Sequence, residues 1–110
     1  MQDYTFEYKG ESYRIPKNKI FDCLYEMGEI VPIATIGDVF SSNDFMKASR
    51  LLSLMGGYTK KGAPDPMEVT KHYLYEEGGA LEVYTAVGEL VALLNPPETY
   101  HPPETEEAGK

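Results

Sequence analysis

The alternation within residues 4–16 constrains the fold more than any other feature of this chain. Tyr4, Phe6 and Tyr8 alternate with Thr5, Glu7 and Lys9, the period of a strand with one buried face. Lys9-Gly10-Glu11 supplies a turn in which Gly10 takes φ > 0, and Tyr13 and Ile15 resume the alternation until Pro16 ends it. A single hairpin is marginal in water, so this one needs a second layer from the helices that follow. The expected fold class is α+β, a mainly α-helical single domain with an N-terminal β-hairpin.

Helical spacing fills the remainder. Ile20, Phe21, Leu24 and Met27 line one face of a helix over 17–28, and Gly28 is placed to end it. Ile33, Ile36, Val39 and Phe40 suit a short helix opened by Pro32, although Ile30, Val31 and Ile33 also fit an extended segment. Ser41-Ser42-Asn43-Asp44 is a run of N-cap residues. Phe45, Ala48, Leu52 and Met55, widened by Leu51 and Leu54, then line a helix over 42–55 that Gly56-Gly57 breaks. Asp65-Pro66-Met67-Glu68 is the clearest helix start: Asp65 caps, Pro66 takes the first helical position and Glu68 closes a capping-box-like pair. That helix is expected over 66–77, ended by Gly78-Gly79. In the last helix, over 80–94, Ala80, Val83, Tyr84, Val87, Leu90, Val91 and Leu94 form an apolar stripe, with Glu82, Thr85 and Glu89 away from it. Leu81, Ala86 and Leu93 leave its second face half polar, and Pro96-Pro97 stops it. A helix apolar on more than one side sits centrally or touches a partner; central burial is expected.

A chain of 110 residues is one domain on length. Residues 1–95 hold the folding signals. Residues 96–110 carry Pro-Pro-Glu-Thr twice and then Glu106-Glu107, a composition that buries no apolar surface and predicts an extended or disordered tail. The tail has no Pro-x-x-Pro spacing, so the usual SH3-ligand reading fails. Net charge is −8, of which the tail supplies −3 through four Glu and one Lys. Lys60-Lys61 is the one adjacent basic pair. Nucleic acid and acidic membrane surfaces are therefore not expected partners. No apolar run is long enough to span a bilayer and Met1-Gln2-Asp3 lacks the start of a signal peptide, so a soluble, cytoplasmic protein is expected.

Candidate chemistry is sparse. His72 and Glu76 stand four apart on a helix but make only two ligands, too few for a metal site, and read as a solvent-exposed pair. His101 lies in the tail. Cys23, the only cysteine, sits beside Phe21 and Leu24 with no basic neighbour to make a thiolate, and reads as a buried, inert side chain. Gly57 and Gly62 have the spacing of a phosphate loop, but Ala63 stands where the lysine is needed. Adjacent carboxylates such as Glu76-Glu77 point in different directions and read as solvated charges. No catalytic residue, metal ligand or cofactor site is expected.

The hairpin Tyr4-Thr5-Phe6-Glu7-Tyr8-Lys9-Gly10-Glu11-Ser12-Tyr13-Arg14-Ile15-Pro16, the acidic helical body over 17–28, 42–55, 66–77 and 80–94, and the Pro/Glu-rich end together resemble a tail assembly chaperone of a long-tailed bacteriophage. The resemblance is one of pattern across most of the chain, in a family with no invariant motif. It implies a non-enzymatic protein of the bacterial host cytoplasm, often prophage-encoded, that binds the tape measure protein and helps recruit tail-tube subunits. It also implies a capacity to form homo-oligomers and, in many members, a longer frameshifted form. Leu81, Tyr84 and Leu93 are the candidate partner contacts. An acidic adaptor or inhibitor and a minor structural subunit of the virion fit the same residues.

Overall fold

Alternating burial along Tyr4–Tyr8 makes the first strand, β1, which pairs antiparallel with β2, Glu11–Ile15, in the register Tyr4 to Ile15 and Phe6 to Tyr13. The turn between them puts Lys9 at φ 53° and Gly10 at φ 78°, the primed geometry whose twist matches that of the strands. A 3₁₀ turn at Lys17–Lys19 leads into α1, Ile20–Ile30; a second at Ile33–Thr35 leads into α2, Ile36–Ser41. Then follow α3, Phe45–Gly57; α4, Pro66–Tyr75; and α5, Gly79–Ala92. This computed structural model describes residues 2–94; the expected tail, with His101, lies outside the described residues. The fold is α+β and mainly helical, as the hairpin and helix periodicities predict.

Helix α3 is the hub. It packs against α1, α2, α4, α5 and β2, and Ala48, Leu51, Leu52 and Met55 are buried along it. The hairpin lies on α5, where the Tyr4 hydroxyl donates to the Ala86 carbonyl oxygen at 2.6 Å. Two buried serines knit α3 to its neighbours. The Ser49 hydroxyl donates to the Phe45 carbonyl and accepts from Thr70 on α4, at 2.7 and 2.8 Å, while Ser53 reaches the Pro64 carbonyl at 2.7 Å.

Several boundaries differ from the sequence reading, each for a packing reason. Helix α1 runs through Gly28 to Ile30, and its buried face is Ile20, Cys23, Leu24 and Met27. Phe21 is 69% exposed and leans on Tyr25. Of the four cap candidates, Asp44 caps α3 by accepting from the Lys47 amide at 3.2 Å, and Asn43 takes the left-handed turn at φ 58° that separates α2 from α3. Gly56 does not break α3: a Cβ there would lie 2.5 Å from Pro64 Cδ and 2.9 Å from the Gly62 oxygen, so the returning loop needs glycine inside the helix. Asp65 and Pro66 open α4 as expected, but Glu68 pairs forward with Lys71 at 3.7 Å. Helix α4 ends at Tyr75, two residues early, because Gly79 brings α5 against it: a Cβ on Gly79 would stand 1.9 Å from the His72 oxygen. Helix α5 is buried on one face only, through Val83, Ala86, Val87 and Leu90, while Ala80, Tyr84 and Leu94 of the expected stripe are exposed.

Neighbouring glycines test the hub. Gly56→Ala is expected to lower stability in a urea melt by about 1–3 kcal/mol through overpacking against Pro64. Gly57→Ala, whose Cβ meets Ala63 Cβ at an ordinary 3.6 Å, is expected to be neutral or stabilising by at most about 1 kcal/mol.

Candidate functional site

The hairpin turn delivers Tyr8 and Lys9 to the crossing of α4 and α5. There Glu82 Oε1 accepts from the Lys9 amide at 3.1 Å and lies 2.6 Å from His72 Nε2. A carboxylate only accepts, so Nε2 carries the proton. The Tyr8 ring meets His72 edge-on at 5.0 Å, and Tyr8 Oη and His72 Nδ1 are both buried without a hydrogen-bond partner. Burial, with the nearby Tyr13, Glu82 and Glu68, pushes the Tyr8 hydroxyl up to about 12. This cluster is a clamp joining hairpin, α4 and α5. His72 is thus not half of an exposed pair with Glu76: its side chain is 11% exposed and bound to Glu82, ten residues away, while Glu76 faces solvent. Helical spacing places Glu82 away from the apolar stripe and so assigns it to solvent; the clamp has no local signal, because Lys9, His72 and Glu82 meet only in the fold.

Cys23 is buried, with Sγ 3.9 Å from Met27 Sδ. Burial, then the charge of Glu26, pushes its thiol up to about 12, so it stays protonated at neutral pH. Among the described residues no three His, Cys, Asp or Glu side chains converge as a metal-binding set. No described helix is long and apolar enough to cross a membrane. Folding also builds a cationic cleft that the sequence did not reveal, because its parts are far apart in the chain. Arg14 of β2, Lys60 and Lys61 share a space of about 500 Å³ with Ser12, Thr59 and Asp3. Within it Lys61 is already paired to Glu11 at 3.2 Å and sits over the Tyr13 ring.

The remaining surface of note is apolar. Leu81 and Tyr84, expected as partner contacts, are 66% and 51% exposed on the outer face of α5. Tyr84 rests edge-on against Phe40 of α2 at 5.2 Å. Leu93, also expected there, is 43% exposed but belongs elsewhere: it follows the last residue of α5, and nine residues, about two and a half turns, put it opposite Tyr84. Gly88, one turn beyond Tyr84, has open space where a Cβ would stand. Mid-helix glycine costs about 0.5–1 kcal/mol relative to alanine, and no described residue uses the room. Leu81, Tyr84 and Gly88 therefore form a stripe that a second helix can approach closely. No family model, curated protein or solved structure matches this chain.

The clamp and the thiol each have a readout. Glu82→Ala, which strands His72 and the Lys9 amide, is expected to cost about 1–3 kcal/mol in a urea melt, and Glu82→Gln, which keeps an acceptor, less. Stability is expected to fall as pH rises above about 9. The folded chain holds the Cys23 and Tyr8 protons to about 12, whereas the unfolded chain releases them near their ordinary 9.0 and 10.0 and so binds fewer protons there. Cys23→Ala should remove the lower part of that loss. At pH 8 iodoacetamide should leave Cys23 unlabelled until denaturant opens the core.

Proposed function

We propose that this protein is a non-enzymatic phage tail assembly chaperone that holds an apolar helical stretch of the tape measure protein during tail assembly. The observation that carries the reading is the outer face of α5. A small chain that buries Ala48, Leu51, Leu52 and Met55 of its central helix leaves Leu81 and Tyr84 half or more in water, beside a glycine with open space above it. An unpartnered face of this kind, on a chain of net charge −8, suits a partner that is itself helical and poorly soluble. The partner's apolar face is covered, while the acidic surface of the chaperone keeps the complex dispersed. Tail-tube subunits are the second proposed partner, recruited once the tape measure is held. The same face offers a route to homo-oligomers.

Co-expression tests the proposal directly. With the wild-type chain, a co-expressed tape measure protein of the same phage should move from the insoluble to the soluble fraction and co-purify. Leu81→Glu/Tyr84→Glu should abolish this while lowering the stability of the free chain by no more than about 1.5 kcal/mol, the worth of the Tyr84–Phe40 edge contact. A tape measure protein that stays insoluble with the wild-type chain would overturn the reading. Recovery of the protein from purified virions would favour a structural subunit in its place.

A further inference from the structure

Helix α3 is enclosed by four other helices and β2, yet one strip of it is left open. Met46, Arg50 and Gly57 stand on it at i, i+4 and i+11, about 16 Å along the axis, with the buried Ser53 beneath them. Two shallow hollows lie over this strip. One, of about 380 Å³, runs from Phe45 and Met46 to Pro66 and Met67 at the start of α4. The other, of about 480 Å³, runs from Leu54 and Tyr58 to Ile30 at the end of α1. Arg50 and Pro66 border both. The strip is therefore the floor of a single groove, apolar at each end, with a guanidinium at its middle.

The charge pattern says what fits. Ion pairs among the described residues belong to Lys47, Lys61, Lys71 and His72, and Arg50 is in none of them. Glu26 also borders the second hollow with its negative charge, but its carboxylate is held by the Tyr58 hydroxyl and makes no ion pair with Arg50. The arrangement suits an occupant that presents apolar groups at both ends and a negative charge between, on Arg50. Its backbone must also satisfy itself. The walls are mostly helix, from α1, α3 and α4, with Tyr58 and Ala63 of the intervening loop, and offer no strand edge on which an extended segment could pair its backbone. Met46 and Met67, each 65% exposed, are flexible thioethers that adapt to more than one apolar shape.

We propose that this groove docks an amphipathic helix of a partner protein, with apolar side chains in the two hollows and an Asp or Glu between them on Arg50. From Met46 to Leu54 is about 12 Å of helix, so the anchors stand about two turns apart, near i and i+7, with the carboxylate near i+3. The groove is a second contact, separate from Leu81 and Tyr84. It depends on the proposed function only for the identity of the protein that supplies the helix.

The test uses the intact chain and two fluorescein-labelled, lactam-bridged peptides of about 18 residues, a length that holds helix once bridged. Both carry Leu at i, i+4 and i+7; one has Glu at i+3 and the other Lys. In anisotropy titrations the Glu peptide should bind the wild-type chain at least about tenfold more tightly than the Lys peptide. Arg50→Glu should invert that order, and Met46→Glu should weaken both. Amide shifts in the wild-type complex should centre on Met46, Leu54 and Met67. Thermal melts of the variants establish that each is folded, and Arg50→Lys, which keeps the charge, should retain the preference for Glu. Absence of saturable binding, or equal binding of both peptides before and after Arg50→Glu, would overturn the proposal. So would shifts centred on Leu81 and Tyr84, or a wild-type dimer that Arg50→Glu converts to monomer, which would make the occupant a second copy. Peptide binding that survives Leu81→Glu/Tyr84→Glu, beside a tape measure protein that stays insoluble, would sink the chaperone reading and leave the groove standing.

Discussion

The burial of α3 is the constraint on which the other elements depend. Packed by four other helices and a strand, α3 buries Ala48, Leu51, Leu52 and Met55, and each neighbour is held at a distance set by its side chains. One close approach is at Gly56, where Pro64 and the Gly62 carbonyl occupy the volume a side chain would need. That contact fixes the return of the chain into α4, and α4 in turn sets α5 through the Gly79–His72 contact. The hairpin is the last layer. It cannot stand alone, and it gains its stability by laying Tyr4, Phe6 and Tyr8 on the helices and tying its turn to Glu82.

This order of dependence separates interior polar groups from exterior apolar ones. Ser49, Ser53, Thr70, His72 and Glu82 are spent on joining elements; buried, such groups are costly unless paired, and pairing them across elements makes the arrangement specific. Leu81, Tyr84, Met46 and Met67 do the opposite, remaining in water although the core is close by. Side chains of this size are worth about 1.5–3 kcal/mol each when fully buried. Their exposure in two separate places, one beside an open glycine and one around an arginine with no ion pair among the described residues, is the ground on which we propose that the protein binds helices.

The hairpin, the Asp65-Pro66 helix start and the identity of Cys23 as a buried thiol were legible because each rests on near neighbours in the chain. A strand period, a cap and an apolar helical context are local properties. Glycine was the least readable residue for the same reason. Gly28 and Gly56 look like helix stops when only propensity is considered, yet tertiary contacts carry the helix through both. The candidate contacts show the same limit. Leu81 and Tyr84 share an exposed face, but Leu93 turns away from it by half a helical turn.

By itself the sequence determined the fold class, the number and order of the main elements and the acidic surface, since period, capping and charge are written into short stretches. Only the tertiary structure decided which apolar residues find cover. Phe21 and Leu81 are as apolar as Leu24 and Val83, and the difference lies in whether a neighbouring element reaches them. It also decided that Glu82 clamps His72 and Lys9, and that Arg50 lies alone between two hollows. Such placements depend on distances between residues far apart in the chain, and those distances exist only once α3 is packed.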